Sequence, residues 1–249
     1  DGQARTLAAL LDHLAIDQAI IVGHSFGGAV AASFALYHPD RTAGTVFLSP
    51  VSHPWPGGVS WYYSLSAVPV IGWLFSQTLA MPGAMLRIDA GTACVFAPNR
   101  PTPRYAERIH LPLLFRPIHF RSNAIDVANL HDYVTETAPL YGRIETPAVI
   151  ITGDKDTIVL PSIHSVGLAR DLSNAELVRV QNLGHKPDHV VPDLTIAALE
   201  DVAGEPHDLQ ALARQAEARL AGDAYGPLER CLDSDLIRQE VQAAGFRID

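Results

Sequence analysis

Apolar positions near the start of the chain follow first a helical and then a strand-like pattern. Leucines at the i, i+3, i+4, i+7 spacing of one helix face come first: Leu7, Leu10, Leu11 and Leu14. The apolar run 19–22 then predicts a buried strand that ends at Gly23. The small apolar stretch 29–36 predicts a second helix, which Pro39 stops.

Three further apolar runs predict strands, at 45–48, 148–151 and 177–180. A helix is predicted between the last two strands, at 161–172. Strands that alternate with helices are typical of a parallel sheet. We therefore expect an α/β fold whose mostly parallel sheet carries helices on both faces.

The alternation stops at residues 54–146, where we predict an inserted helical lid. Between Thr42 and Leu86 the chain has no Asp, Glu, Lys or Arg, so we expect this stretch to be hidden, in part as lid helices over an apolar pocket. Contact with a membrane surface is the alternative. Three residues argue against a membrane span: Pro69, Gly72 and Pro82.

The insertion divides the chain into four segments. These are a first core segment at 1–53, the lid at 54–146, a second core segment at 147–203 and a mainly helical tail at 204–249. Four lid aromatics are predicted to bind substrate: Trp61, Tyr62, Trp73 and Phe75. Five lid arginines predict a solvated or ion-paired face, with contact to an anionic substrate group as the alternative: Arg100, Arg104, Arg108, Arg116 and Arg121.

Composition narrows the class of protein. With 249 residues, 48% of them apolar, and a mean hydropathy of +0.12, the chain can bury a large core, which excludes a disordered protein. Its net charge of −9 has the wrong sign for binding nucleic acid. Cys94 and Cys231 cannot form a disulfide framework or a zinc cluster, and we expect buried thiols.

The sequence Gly23-His24-Ser25-Phe26-Gly27 matches G-x-S-x-G between a predicted strand and a predicted helix. In that context Ser25 should occupy a strained turn that exposes its hydroxyl as a nucleophile. We expect Gly23 and Gly27 to avoid collisions across the turn and Gly28 to let the helix pack closely. The Phe26 N–H, at the start of that helix, is the predicted oxyanion donor.

A serine nucleophile needs a base, and the base needs an acid to orient it. Asp156 follows the strand at 148–151 and is the predicted acid, with Asp154 as the alternative. His185 follows the strand at 177–180 and is the predicted base, with His189 as the alternative.

His24 adjoins the nucleophile, and we expect its ring to support the turn rather than accept the proton. No metal site is predicted, since Pro187 prevents the helix that would align His185 and His189.

With Ser25, Asp156 and His185 in that order and a lid between strands, residues 1–203 resemble the α/β-hydrolase superfamily. They are most similar to bacterial lid-bearing serine hydrolases, which include esterases, lipases, C–C bond hydrolases and cofactor-free haloperoxidases. The resemblance implies a Ser–His–Asp triad with no metal and no organic cofactor. Related epoxide hydrolases and haloalkane dehalogenases carry Asp at the nucleophile position, so Ser25 argues against those activities.

The chain departs from this family before Ser25, where the family has four more strands and a His-Gly loop that supplies a second oxyanion donor. We therefore expect a fragment truncated at its N-terminus, holding the C-terminal half of the sheet. Loss of an oxyanion donor costs about 10²–10³ in rate. Alone, the chain is expected to be poorly soluble and nearly inactive. In the tail, a helix is predicted at 209–220 and at most one short strand at 241–248.

The leading expectation is a serine hydrolase of a carboxylic ester or related acyl compound with an apolar portion. C–C bond hydrolysis or peroxidation by the same triad is the first alternative. The second alternative is a ligand-binding hydrolase fold with slow or no turnover. The sequence identifies neither an oligomeric state nor a compartment, for which the cytoplasm is the default.

Overall fold

Four parallel strands form the sheet, in the order β1-β2-β3-β4 across its width. The computed structural model describes residues 2–56, 59 and 61–222. The strands are β1 (Ala19–His24), β2 (Thr42–Leu48), β3 (Ala148–Gly153) and β4 (Ala175–Val180). All six residues of β3 are buried, as expected for a β-branched strand covered on both faces.

Helices precede, separate and follow the strands. Around the sheet they are α1 (Gly2–His13), α2 (Phe26–Tyr37), α8 (Ser165–Asp171), α9 (Pro187–Val190), α10 (Pro192–Val202) and α11 (Leu209–Leu220). Between β2 and β3 they are α3 (Trp61–Ala67), α4 (Pro69–Thr78), α5 (Ala80–Phe96), α6 (Tyr105–Arg108) and α7 (Pro117–Thr137). Short 3₁₀ turns occupy Pro39–Arg41, Leu111–Phe115 and Ala138–Arg143.

Side chains alternate between two cores along each central strand. On one face, Val46 and Ile151 pack with α10 and α11, and on the other, Phe47 and Ile150 pack with α2 and α8. This period of two explains why helices lie on both faces of the sheet. The predicted α/β architecture, with its helices and parallel strands, is confirmed.

The predicted tail helix at 209–220 is present as α11, but it is not separate from the core. Leu209, Ala213 and Ala216 are buried against β4 and α10. The described part of the segment predicted as a tail therefore completes one face of the sheet. The strand predicted at 241–248 lies outside the described residues.

The insertion between β2 and β3 is helical, but the expectation that its uncharged stretch is hidden was wrong. Val70 is 76% exposed, Ile71 57% and Leu86 88%. Absence of charge did not signal burial here, because most of the larger apolar side chains of α4 point away from its packed side.

Two smaller expectations also need correction. The helix predicted at 161–172 covers only Ser165–Asp171, because a turn precedes it. Cys94 is half-buried rather than buried, and Cys231 lies outside the described residues. No helix among the described residues is long and apolar enough to cross a bilayer.

Candidate active site

Ser25 occupies a strained turn between β1 and α2. Its backbone has φ 54° and ψ −121°, and residues other than glycine rarely adopt a positive φ. Three backbone hydrogen bonds hold it there: Ser25 N–H donates to Leu48 O (3.0 Å), and Gly28 N–H and Val51 N–H donate to Ser25 O (2.9 Å each). The predicted strained turn is confirmed.

The glycines around the turn differ in how much space a side chain would have at each position. A Cβ at Gly23 would lie 2.3 Å from Gly27 O, and a Cβ at Gly28 would lie 2.3 Å from the Pro50 Cβ. A Cβ at Gly27 would meet no atom within 4 Å. The expectations for Gly23 and Gly28 are confirmed, whereas the collision expected at Gly27 was wrong because that position faces open space.

Phe26 is the first residue of α2 and follows Ser25 directly. Its N–H is among those that a helix leaves without an intrahelical acceptor. Residues of α1, α2 and α7 line an open cavity of about 240 Å³, and Phe26, Ala29, Leu130 and Tyr133 are among them. An open, largely apolar space therefore adjoins the start of α2.

Asp156 is buried in the loop after β3, with its side chain 0% exposed. Its Oδ1 accepts hydrogen bonds from Ile158 N–H and Val159 N–H, both at 2.9 Å. Its Oδ2 lies 2.7 Å from His185 Nδ1. Two backbone donors and one ring donor thus compensate the buried carboxylate and orient the histidine.

The alternative acid and base have other roles. Asp154 Oδ1 accepts the Asn182 N–H at 2.6 Å and so joins the loop after β3 to the loop after β4. His189 packs its ring edge-on against Tyr105, with ring centroids 5.0 Å apart. Neither side chain contacts His185 in the described structure.

His24 supports the loop that carries His185. The His24 Nε2–H donates to the His185 carbonyl at 2.7 Å, and the two ring centroids are 4.8 Å apart. Burial, followed by repulsion from His185, lowers the pKa of His24 to about 4, so the ring is neutral at pH 7. This arrangement agrees with the supporting role expected for His24.

Ser25 and His185 lie at the same end of the sheet, on either side of His24. Within the described residues the Ser25 hydroxyl makes no direct hydrogen bond with the His185 ring. Nucleophile–base hydrogen bonds are often long without substrate and tighten on binding. The Asp156–His185 pair is therefore formed, and His24, the neighbour of Ser25 in the sequence, contacts His185.

Asn99, which sequence reasoning missed, joins the insertion to the His185 loop. It is 4% exposed, donates from Nδ2 to Asn182 O (2.8 Å) and accepts Gly184 N–H at Oδ1 (2.9 Å). A Cβ at Gly184 would lie 2.1 Å from Ala97 O, so only glycine allows this approach. Nothing in the local pattern around Asn99 distinguishes it from a loop asparagine.

A buried histidine network behind the acid was also missed. His164 Nδ1 accepts the N–H groups of Ser52 and His53 at 3.3 Å, and His53 Nε2 lies 2.9 Å from Asp171 Oδ2. Burial, followed by repulsion from His53, lowers the pKa of His164 to about 4. A neutral His164 therefore ties the loop after β2 to the start of α8.

The four aromatics predicted to bind substrate are dispersed. Tyr62 stacks on Tyr63 (4.4 Å between centroids), and Phe75 faces Phe120 (6.4 Å). Trp73 is 55% exposed, and Trp61 begins α3. Tyr62, Trp73 and Phe75 do not line the cavity beside Phe26. Substrate contact of all four aromatics stays a prediction.

The chain is similar in sequence and in fold to known α/β hydrolases. A family model for the alpha/beta hydrolase fold matches residues 1–70. The 2-hydroxy-6-oxo-6-phenylhexa-2,4-dienoate hydrolase of Burkholderia cepacia is 25% identical over 73% of this chain, which spans 61% of that protein's length. A pimeloyl-acyl-carrier-protein methyl ester esterase of Aromatoleum aromaticum is 29% identical over 78% of this chain and 77% of its own.

The solved structure of an alpha/beta hydrolase enzyme from a Medee basin deep-sea metagenome library is also similar. It superposes with a TM-score of 0.58 at 25% identity, covering 81% of this chain and 70% of that one. The fold of the described residues thus has a counterpart of known architecture.

Proposed function

The chain belongs to the α/β-hydrolase superfamily, and on this basis we propose that it is a serine hydrolase of a carboxylic ester or related acyl compound with an apolar portion. The observation that carries the proposal is the buried Asp156–His185 pair beside the strained Ser25 turn. Backbone strain of this kind is concentrated at functional sites. A solvent-shielded carboxylate on Nδ1 fixes the tautomer in which Nε2 can accept a proton.

Ser25 Oγ attacks the substrate carbonyl while His185 Nε2 accepts the hydroxyl proton. The carbonyl oxygen becomes an oxyanion, and the Phe26 N–H donates a hydrogen bond to it. His185 then gives its proton to the leaving alcohol, which leaves an acyl group on Ser25. Water hydrolyses this acyl-enzyme by the same proton transfers, and Asp156 stabilises the transient imidazolium.

Displacement of a halide does not fit this nucleophile. Attack of a serine alkoxide on an alkyl halide would form an ether, which water at this site could not cleave to regenerate the enzyme. A carboxylate nucleophile would instead form a hydrolysable ester. Ser25 therefore supports acyl chemistry over dehalogenation.

A fluorophosphonate probe tests the nucleophile without requiring turnover. We expect one covalent adduct, mapped by peptide mass spectrometry to Ser25, and no adduct in Ser25→Ala. The exposed Ser64→Ala is the matched control and should label like the parent chain. An adduct on any residue other than Ser25 would contradict the assignment.

The rate of labelling by the same probe distinguishes the two candidate acids, Asp156 and Asp154. Asp156→Asn should slow labelling by about 10⁴-fold, because the wrong histidine tautomer is favoured. Asp154→Asn keeps an oxygen for the Asn182 N–H and should slow labelling by less than about tenfold. The opposite order would make Asp154 the acid.

Hydrolysis of a C–C bond is the second candidate function, favoured by similarity to the dienoate hydrolase of Burkholderia cepacia over 73% of this chain. Turnover of short-chain nitrophenyl esters is compared with turnover of a vinylogous 1,5-diketone. Faster cleavage of the diketone, lost in Ser25→Ala, would replace the ester proposal. Ligand binding that survives Ser25→Ala, without turnover of either substrate, would favour a non-catalytic protein.

A further inference from the structure

Helix α4 presents its apolar side chains to solvent and its small side chains to the protein. Four apolar residues are more than half exposed: Val70 (76%), Ile71 (57%), Trp73 (55%) and Leu74 (55%). The buried positions are Gly72 and Ser76. This is the reverse of the pattern that a helix on a water-soluble domain normally shows.

Close packing explains why the small residues face inward. A Cβ at Gly72 would lie 2.1 Å from Ser66 O, so α4 approaches α3 more closely than any side chain permits. The buried Ser76 hydroxyl donates a hydrogen bond to Trp73 O of the same helix, at 2.7 Å. The orientation of α4 is therefore fixed by backbone contact, and its larger apolar side chains are left outside except for Phe75, which faces Phe120.

The exposed apolar side chains continue into the next helix. We call these exposed side chains together the α4–α5 surface: Val68, Val70, Ile71, Trp73, Leu74, Leu79, Met81, Met85 and Leu86. Leu79 is 65% exposed and Leu86 88%. A contiguous segment with so many exposed large apolar side chains marks a site of interaction rather than ordinary surface.

Charge around this surface is opposite to that of the chain as a whole. Residues 61–121 hold six arginines and two acidic residues, a formal charge of +4, whereas the whole chain carries −9. The arginines follow the apolar stretch, within or just before α5, α6 and α7, and α6 packs against α5. Basic residues beside an apolar helix face with a tryptophan are typical of helices that lie on anionic lipid.

We propose that the α4–α5 surface docks on an anionic lipid surface, with α4 and α5 lying along the interface. The apolar side chains enter the boundary between headgroups and acyl chains, and the exposed Arg108 and Arg116 bind phosphate groups. A second copy of the chain fits less well, because a two-fold contact would place the +4 regions of both copies together. No described helix could span the bilayer, so the contact is peripheral.

Vesicle flotation tests the proposal and separates bound protein from aggregates, which sediment. The 249-residue chain should float with phosphatidylcholine vesicles that contain phosphatidylglycerol and remain unbound with pure phosphatidylcholine. Ile71→Ser with Leu74→Ser should reduce binding at least about tenfold. The matched control, Leu10→Ser with Ile196→Ser, removes apolar side chains of similar exposure on α1 and α10 and should bind like the parent.

The charge contribution is tested separately. Arg108→Gln and Arg116→Gln should each weaken binding to anionic vesicles about fivefold and reduce its salt dependence. In a Trp55→Phe, Trp61→Phe background, the fluorescence of Trp73 should shift to shorter wavelength and be quenched by brominated lipid. Ser25→Ala should bind normally, so this test is independent of the proposed catalysis.

Three results would overturn the proposal. The first is equal flotation with neutral and anionic vesicles, and the second is flotation unaffected by Ile71→Ser with Leu74→Ser. The third is a dimer of the parent chain that this double substitution dissociates while vesicle binding is absent, which would assign the surface to a second copy.

Discussion

Ser25 illustrates how one residue can be held in a costly conformation by its neighbours. Its positive φ costs about 1–3 kcal/mol in a residue with a side chain. The hydrogen bonds from Gly28 and Val51 to its carbonyl, and its own N–H bond to Leu48, come from three different elements. Tertiary structure therefore maintains a local geometry that the isolated segment would not adopt.

Removing the side chain at this position should recover part of that energy. We expect Ser25→Gly to be more stable to urea than Ser25→Ala by about 1 kcal/mol, after allowing for the extra freedom of glycine in the unfolded chain. Both variants should lack hydrolase activity. Equal midpoints of unfolding for the two variants would show that the turn carries no strain.

His24 and His164 make stability depend on pH. Burial lowers both pKa values from 6.5 to about 4, so between these values the unfolded chain binds more protons than the folded one. The free energy of unfolding should therefore fall as pH falls from about 6.5 to about 4, by up to about 1.4 kcal/mol per pH unit for each histidine. Urea unfolding at pH 7, 6 and 5 measures this slope.

A substitution that keeps the acceptor isolates one of these histidines. His164→Asn retains an oxygen for the N–H groups of Ser52 and His53 but cannot titrate. It should reduce the slope by up to about 1.4 kcal/mol per pH unit, and the exposed His13→Asn is the matched control. An unchanged slope in His164→Asn would mean that His164 is not held neutral.

At the scale of elements, the position of α2 depends on its second glycine. A methyl group at Gly28 would collide with Pro50 in the segment after β2, whereas a methyl group at Gly27 meets open space. Gly28→Ala should destabilise the fold by about 1–3 kcal/mol, and Gly27→Ala should be neutral or slightly stabilising. Thermal unfolding of the two variants compares them directly, and similar losses in both would contradict the geometry.

Elements with a strong local signal could be predicted from the sequence. The run at β3 was recognised because strands buried on both faces are continuously apolar, and the G-x-S-x-G turn because the elements on either side were clear. The strand at β1 was also predicted, but the burial expected for it was wrong, since β1 is the first strand of the described sheet and its Val22 is 46% exposed. The role of Gly27 was not recoverable, since consecutive glycines look alike until the atoms opposite each one are known. The same holds for Asn99, whose partners lie 83 and 85 positions away in the sequence.

At the scale of the whole molecule, hydrophobic patterning was misleading in one region. An uncharged stretch ordinarily signals burial, but tight backbone contact between α3 and α4 requires small residues inside, and the large apolar ones are then exposed. The separation of charge between the insertion and the rest of the chain is visible in the sequence. Its relation to the apolar helix faces required the structure.

The insertion and the sheet domain are coupled through Asn99. Asn99→Ala would leave the Gly184 N–H without its acceptor and should loosen the loop that carries His185. We expect kcat to fall about 10–100-fold with little change in KM, because an unpaired buried donor costs about 1–3 kcal/mol. Ester hydrolysis kinetics measure this, with Asn123→Ala on α7 as the control.

Loss of activity in Asn99→Ala through KM alone would place Asn99 in substrate binding instead. A variant with normal kcat and KM would show that the loop is held by Asp154 and His24 without help from the insertion.

Because the Gly184 N–H donates to Asn99, hydrogen exchange at this one amide reports on the contact between the insertion and the His185 loop. This N–H can exchange with solvent deuterium only when its hydrogen bond to Asn99 opens. Each exchange event at Gly184 therefore marks a moment when the histidine is no longer supported from that side. The rate at which this amide takes up deuterium would measure how often the hydrogen bond between the insertion and the loop opens.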